Sequence, residues 1–186
     1  MATHIEPLVT VADLDTMPED GNRYEVIEGE IFVSRSPNLT HQSVSGNIFM
    51  SVKTYLITNP IGEVWSTPGV IFSEYSGVIP DLVFVSNQRL DEIASGERIT
   101  GAPDLVIEIV SPGAENVRRD RIAKRQLYGR YGVKEYWIVD FMNRIIEIYQ
   151  LQGSLLQLVF SLTDKDEITS SVLPGYRCRV DTIFAT

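Results

Sequence analysis

The chain has a single cysteine, Cys178, in 186 residues. That excludes an internal disulfide framework and any zinc site built from clustered thiolates. No apolar run approaches the ~18 to 20 residues that cross a bilayer. The opening "MATHIEPLVTVADLDTMPEDG" has neither the basic start nor the apolar block of a signal peptide. A cytoplasmic protein with no membrane partner is expected. A glycine-rich phosphate loop, a G-x-S-x-G elbow and a metal-spaced histidine pair are all missing. Positive charge is short as well: 16 Lys and Arg stand against 25 Asp and Glu, a net charge of -9. That balance excludes a constitutive, high-affinity nucleic-acid coat protein, whose binding energy comes mainly from cation-phosphate contacts.

The basic residues are unevenly placed. Between Asn116 and Lys134 stand seven cations, Arg118, Arg119, Arg121, Lys124, Arg125, Arg130 and Lys134, against one anion, Asp120. Two readings are open: a solvated helix face, or an electropositive rim around an anion site.

Periodicity gives an α/β (α+β) chain: a mixed sheet with helices on it and extra hairpins at both ends. "RYEVIEGEIFVS" reads as two strands about a tight turn at Glu28-Gly29, with Glu25 and Glu28 solvated. Val44, Ile48, Val52, Tyr55 and Leu56 recur at helical spacing, which predicts a helix over 39–58. "GEVWSTPGVIFS" predicts one strand, or two broken at Pro68-Gly69, and further strands are expected from Asp81 in "PDLVFVS", over 104–110 and in "VKEYWIVD". A polar connection with one helical turn should follow Ser86, and one helix should run from 116 to 131. From Arg144 onward the pattern alternates as a hairpin. One domain over 1–186 is expected, with an N-terminal hairpin region 1–36, a core 39–140 and a C-terminal hairpin and tail 144–186.

Within "APDLVIEIVSPG", Leu105, Val106, Ile107, Ile109 and Val110 form an apolar run interrupted by Glu108. A buried carboxylate needs a partner, hydrogen bonds or a metal, since an unpaired one costs several kcal/mol. Glu108 shares a strand face with Asp104, Val106 and Val110. If the strand that Asp81 opens is a neighbour, Asp81 and Glu108 converge, and a divalent oxygen-liking ion such as Mg²⁺ would relieve their repulsion. The other reading makes Glu108 the partner of a buried Arg or Lys. Lys124 lies at helical spacing from Asp120, Arg121, Tyr128 and Tyr131. It either makes a surface pair with Asp120 or turns inward toward Glu108 or a phosphate. His41, at the start of the first long helix, reads as a capping or packing residue, with a ligand or base as the alternative.

"RYEVIEGEIFVS", "SPNLTHQ", "PDLVFVS", "APDLVIEIVSPG" and "DRIAKRQLYGRYGVKEYWIVD", in this order and spacing, resemble the Uma2 family of the PD-(D/E)XK restriction-endonuclease-like superfamily. The resemblance covers nearly the whole chain. It implies a restriction-endonuclease-like mixed β-sheet core with flanking helices and added terminal β-hairpins. Asp81 matches the Asp of the PD half-motif and Glu108 the acidic residue of the other half. The motif's lysine position, two residues on, is Val110 here, and the matching lysine of the following helix is Lys124. The implied activity is phosphodiester hydrolysis of DNA with Mg²⁺ (or Mn²⁺) held by Asp81, Glu108 and the backbone carbonyl of Ile109. Lys124 would be the third catalytic residue, and Arg118, Arg119, Arg121 and Arg125 would contact flanking phosphates.

Two other functions fit the residues. One is a nucleic-acid-binding or assembly module that keeps the fold without efficient chemistry, as the acidity and the missing strand lysine suggest. The other is an enzyme acting on a smaller phosphodiester or nucleotide substrate. A homodimer built through the terminal hairpins is expected, because an enzyme of this size that cuts both strands usually acts as a symmetric pair.

Overall fold

The computed structural model describes residues 8–94 and 96–185; residues 1–7 of the expected N-terminal region, with Ser95 and Thr186, lie outside the described residues. The chain opens with α1 (Val11–Leu14), then the hairpin β1 (Arg23–Ile27) and β2 (Glu30–Ser34). Its two-residue turn puts Glu28 and Gly29 at φ 55° and 80°, the positive values that a right-twisted hairpin of this length demands. The long helix α2 (Leu39–Thr58) follows, with the Asn38 side chain accepting from the His41 amide at its start.

Next come β3 (Gly62–Ser66), β4 (Val70–Ser73), β5 (Ser76–Val78), β6 (Leu82–Ser86), α3 (Asn87–Ile93), β7 (Ile99–Thr100) and β8 (Leu105–Ile109). The stretch after Ser86 holds more than the one helical turn expected: α3 has seven residues, and β7 is too short for alternation to reveal it. The basic helix runs unbroken over 114–131, covering the expected 116–131, but it is not α-helical throughout. It divides into α4 (Ala114–Arg118), a π-helical stretch Arg119–Lys124, and α5 (Arg125–Tyr131), which stops at Gly132 with φ 89°. The remaining elements are β9 (Glu135–Asp140), the hairpin β10 (Ile145–Gln152) and β11 (Leu155–Leu162), the short pair β12 (Glu167–Ile168) and β13 (Cys178–Arg179), and α6 (Val180–Ile183).

Two mixed sheets carry the fold. The larger runs β11-β10-β9-β8-β6-β3, parallel only between β8 and β9; the smaller runs β2-β1-β5-β4-β7, parallel only between β4 and β7. The central strands of the larger sheet are covered on both faces, which is why they read as unbroken apolar runs. Leu82, Phe84, Leu105, Ile107, Ile109, Trp137 and Val139 pack under Val44, Ile48, Val52 and Leu56 of α2. Val83, Val106, Val110, Tyr136 and Ile138 face the other way, toward Leu127 and Tyr128 of α5 and Val70 and Val78 of the smaller sheet. The N-terminal hairpin is thus part of this second layer, not an appendage. Alternation along β8 assigns Glu108 to the same layer, beneath α5.

Gly129 lets α5 sit directly on the β10–β11 hairpin. A Cβ there would lie 2.8 Å from the Ser154 carbonyl oxygen and 3.2 Å from the Leu156 nitrogen, both backbone atoms that cannot rotate away. Gly129→Ala should therefore cost about 2 kcal/mol despite the better helix propensity of alanine, lowering Tm by about 5 °C in a thermal melt. An unchanged Tm would show that the hairpin yields freely.

Candidate active site

Strand register brings the two acids together. Antiparallel β6 and β8 pair Leu82 with Ile107, Val83 with Val106 and Phe84 with Leu105. One step further along that ladder sets Asp81 opposite Glu108, and opposing residues project from the same face. The two strands are tied again beyond the ladder, where Asp81 Oδ2 accepts from the Ile109 amide at 2.8 Å.

Lys124 arrives from above. The π-helical stretch spreads its turns so that Arg119, Asp120 and Lys124 all point into the protein, ahead of Leu127 and Tyr128 of α5. Lys124 Nζ lies 2.9 Å from Glu108 Oε1 and 2.8 Å from Glu25 Oε1, with Asp120 Oδ1 at 4.0 Å. Glu108 Oε1 also accepts from the Tyr128 hydroxyl at 2.7 Å. Glu25 corrects the expectation of a solvated hairpin residue: it is 2% exposed, and its Oε1 also takes the Ile79 amide at 2.7 Å. Glu28, one turn away, is exposed and pairs with Arg130. The physical reason is alternation along β1. Arg23 and Glu25 share one face, and both side chains reach the site.

Arg119 closes the far side, donating to Asp120 at 2.7 and 3.1 Å and lying 3.8 Å from Glu25. The Tyr136 hydroxyl donates to the Asp120 carbonyl. On the near side, His41 Nε2 lies 3.2 Å from Asp81 Oδ2, and Arg23 Nη1 lies 3.5 Å from Asp81 Oδ1. His41 is buried, and its Nδ1 has no hydrogen-bond partner among the described residues. It does pack, as expected, with an edge-on contact to Phe141, but it also meets Asp81.

Four buried carboxylates, Glu25, Asp81, Glu108 and Asp120, therefore share two buried cations, Lys124 and Arg119. Burial pushes the Glu108 carboxyl up from 4.5 to about 8. Lys124 opposes the rise, while the charges of Asp120, Asp81 and Glu25 add to it. Asp120 is raised for the same first reason, burial, against the pull of Lys124 and Arg119. For Asp81 burial also acts upward, but the hydrogen bond and charge of His41, the Ile109 amide and the charge of Lys124 outweigh it and hold the carboxyl below the ordinary value. Lys124 keeps its proton. Burial alone would lower it, and the ring of carboxylates reverses that.

The donor set suits a hard divalent ion. Both hydrogen bonds to Glu108 fall on Oε1, and the stronger contacts to Asp81 fall on Oδ2, so each acid keeps one oxygen lightly held. Among the described residues no three His, Cys, Asp or Glu side chains form a ready metal cage. Two carboxylates completed by a carbonyl and waters is the set that Mg²⁺ accepts.

The other arginines expected at phosphates have different surroundings. Arg119 is buried in the cluster. Arg121 pairs with Glu147 and lies 3.5 Å from Asp140, Arg125 stacks over Tyr149, and Arg118 is exposed beside Glu30. Tyr131, expected on the Lys124 stripe, packs against Phe72. Sequence reasoning missed Glu25 and Arg23 as members of the site. The available signal was "RYEVI", a carboxylate set among strand-forming apolar residues, as in "LVIEI".

A mixed sheet with flanking helices and terminal hairpins, holding an acid pair and a lysine on one face, is a nuclease-like α+β architecture. A solved structure from Anabaena variabilis ATCC 29413, described as a "putative nuclease belonging to DUF820", has the same fold. It is 19% identical, with a TM-score of 0.75 over 95% of this chain and 97% of its own. No curated protein matches the chain. Residues 11–181 match the model of the Uma2 family, described as "putative restriction endonuclease". The chain belongs to the Uma2 family.

The raised Glu108 carboxyl has a sign that can be measured. The unfolded chain releases this proton near 4.5, whereas the folded protein holds it until about 8. In that window the unfolded state binds fewer protons, so stability falls as pH rises, here by a few kcal/mol. Glu108→Gln keeps the acceptor for Lys124 and Tyr128 but cannot ionise. Urea unfolding at pH 5 and pH 8 without divalent ions should show a shallower decline in the variant. Equal declines would mean that Glu108 is already ionised at pH 5.

Proposed function

We propose that the protein is a divalent-metal-dependent endonuclease that hydrolyses phosphodiester bonds of DNA. The observation that carries this reading is the joining of Lys124 to Glu108 at 2.9 Å, on the sheet face that Asp81 shares. It supports a helix-borne lysine taking the place of the strand lysine that Val110 lacks. Asp81, Glu108 and the carbonyl of Ile109 would hold Mg²⁺ or Mn²⁺, which when bound polarises a phosphate oxygen and activates a water.

The chain's own groups divide the remaining work. Asp81 stays ionised and is aimed by the Ile109 amide and His41. Glu108 carries the proton that a bound cation would displace. Lys124, pinned by Glu25 and Glu108, presents a fixed positive charge to a developing negative one. Arg118 and Arg125, near the surface, would contact flanking phosphates by giving up Glu30 and the Tyr149 ring respectively, and such contacts position a nucleic acid without reading its sequence. The protein is taken as a single cytoplasmic domain, and no helix among the described residues is long and apolar enough to cross a membrane.

A second reading, a binding or assembly module on the same fold, is favoured by burial. Asp81 is 4% exposed, Glu108 3% and Lys124 1%, so a substrate must displace a neighbour to reach them. Cleavage separates the two. Plasmid and single-stranded DNA incubated with Mg²⁺ or Mn²⁺ should be cut by the wild type, with Glu108→Gln and Lys124→Met each reduced about 10²-fold or more. Cutting that survives both substitutions would overturn the assignment. No cutting alongside ordinary DNA binding would favour the module.

A homodimer through the C-terminal hairpin is part of the same proposal. β11 is an edge strand that exposes Leu155, Leu158 and Phe160, and its sequence "LLQLVFSL" carries no charge to deter pairing. Light scattering at micromolar concentration should give twice the chain mass, and Leu158→Lys should return a monomer. A wild-type monomer would dispose of this interface.

A further inference from the structure

The buried cluster borders a cavity of about 530 Å³, between the chain segment from Val11 to Tyr24 and the inner strands β4 and β5 of the smaller sheet. Two residues belong to both. Arg23 lines the cavity and reaches Asp81 Oδ1 at 3.5 Å; its side chain is 25% exposed, so it is one of the site's links to solvent. Ile79 lines the cavity while its amide is held by Glu25. Val11, Leu14 and Ile71, all half-buried, give the walls apolar surface. The rim is different in character: Asp15 pairs with Arg98 at 3.1 Å, and Glu19 and Glu97 stand nearby.

We propose that this cavity is a nucleotide subsite, in which Arg23 takes the phosphate and the apolar walls enclose the adjoining base. The inference rests on the nuclease reading and extends it to how the substrate enters. Charge sets the direction. Both ends carry a guanidinium, but Arg98 at the rim is paired with Asp15 and stands beside Glu19 and Glu97, so the inner Arg23 is the better phosphate ligand, and the rim carboxylates accept hydrogen bonds from amino and imino groups of a base. The volume lies in the range of small-molecule sites and suits one nucleotide rather than a duplex. The substrate strand is therefore single-stranded at this point, or has one nucleotide turned out of the stack. Arg23 at 3.5 Å from Asp81 is held loosely enough to exchange that contact for a phosphate oxygen, and doing so uncovers Asp81 Oδ1, one of the two lightly held oxygens of the acid pair. Arg23 is in this sense a substrate-binding residue that also screens the acid pair until substrate arrives.

The test is binding of the four 5′-deoxynucleoside monophosphates and the four matching nucleosides to the whole protein without divalent ions, followed by amide chemical shifts. Shifts at Arg23, Val70 and Ile79 are expected. Arg23→Gln should weaken the monophosphates about tenfold or more and leave the nucleosides unchanged. Leu14→Trp, which fills the cavity from its half-buried roof, should weaken both sets. Shifts confined to other surfaces, or monophosphate affinity unaltered in Arg23→Gln, would overturn the subsite. If Leu14→Trp fails to fold, the Arg23→Gln comparison decides alone. Binding with this pattern in a protein that cuts no DNA would sink the nuclease reading and leave the subsite standing. Cutting of single-stranded DNA with the same KM in wild type and Arg23→Gln would do the reverse.

Discussion

The ammonium of Lys124, gripped between Glu25 and Glu108, is the interaction on which the structure turns. The three residues come from different parts of the chain: Glu25 from a hairpin strand of the smaller sheet, Glu108 from a central strand of the larger one, and Lys124 from a helix laid over both. Burying such a group is expensive, and an apolar trio of similar volume would often be as stable or more so. The chain nevertheless commits four carboxylates and two cations to one interior. An acid-rich cluster that leaves two acids each with an oxygen to spare is a poor way to hold a fold together and a good way to hold a cation. The proposed metal-dependent chemistry would account for that cost in stability.

The division of the larger sheet into two differently used faces makes this possible. The face toward α2 is apolar along its central strands apart from Glu135, which accepts from Trp137 Nε1 and the Ser171 amide, and it gives the rigidity that fixes the spacing of β6 and β8. The opposite face begins as ordinary core, with Val83, Val106 and Ile138, and turns polar only at the strand ends where Asp81 and Glu108 stand. Because Asp81 is tied to the Ile109 amide as well as carried by its own strand, the acid pair cannot drift apart without breaking the ladder. Tyr128 from α5 and Tyr136 from the neighbouring strand β9 serve the same end, their hydroxyls donating to Glu108 and to the Asp120 carbonyl.

Much of this was readable from residue order. Glu108 inside an apolar run demanded a partner, helical spacing offered Lys124, and Asp81 at a strand head completed the set. The helix over Leu39–Thr58 and the tight turn at Glu28-Gly29 follow directly from periodicity and turn chemistry. Glu25 was harder, because a hairpin next to a turn reads as solvated unless a second sheet is known to cover it. That covering depends on β5 and β7, strands of three and two residues that carry no alternation to detect. Arg119 illustrates the opposite failure. In a run of cations it looks like one more surface charge, and only the backbone shows that it is turned inward.

That backbone is the π-helical stretch from Arg119 to Lys124. Each ordinary helical residue advances the chain by about 100° around the axis, so a widened turn works as a phase shifter between two amphipathic patterns. Ahead of it, α4 presents Arg118 to Glu30 on the outer surface; behind it, α5 lays Leu127 and Tyr128 onto the sheet. Losing a single residue here would leave a regular helix and every hydrophobic contact of α5, yet rotate Arg119 and Asp120 out of the interior. A length change that a plain solvent-facing helix would tolerate would here disconnect half the charge cluster from the other half, leaving the fold intact and the acid pair without its setting.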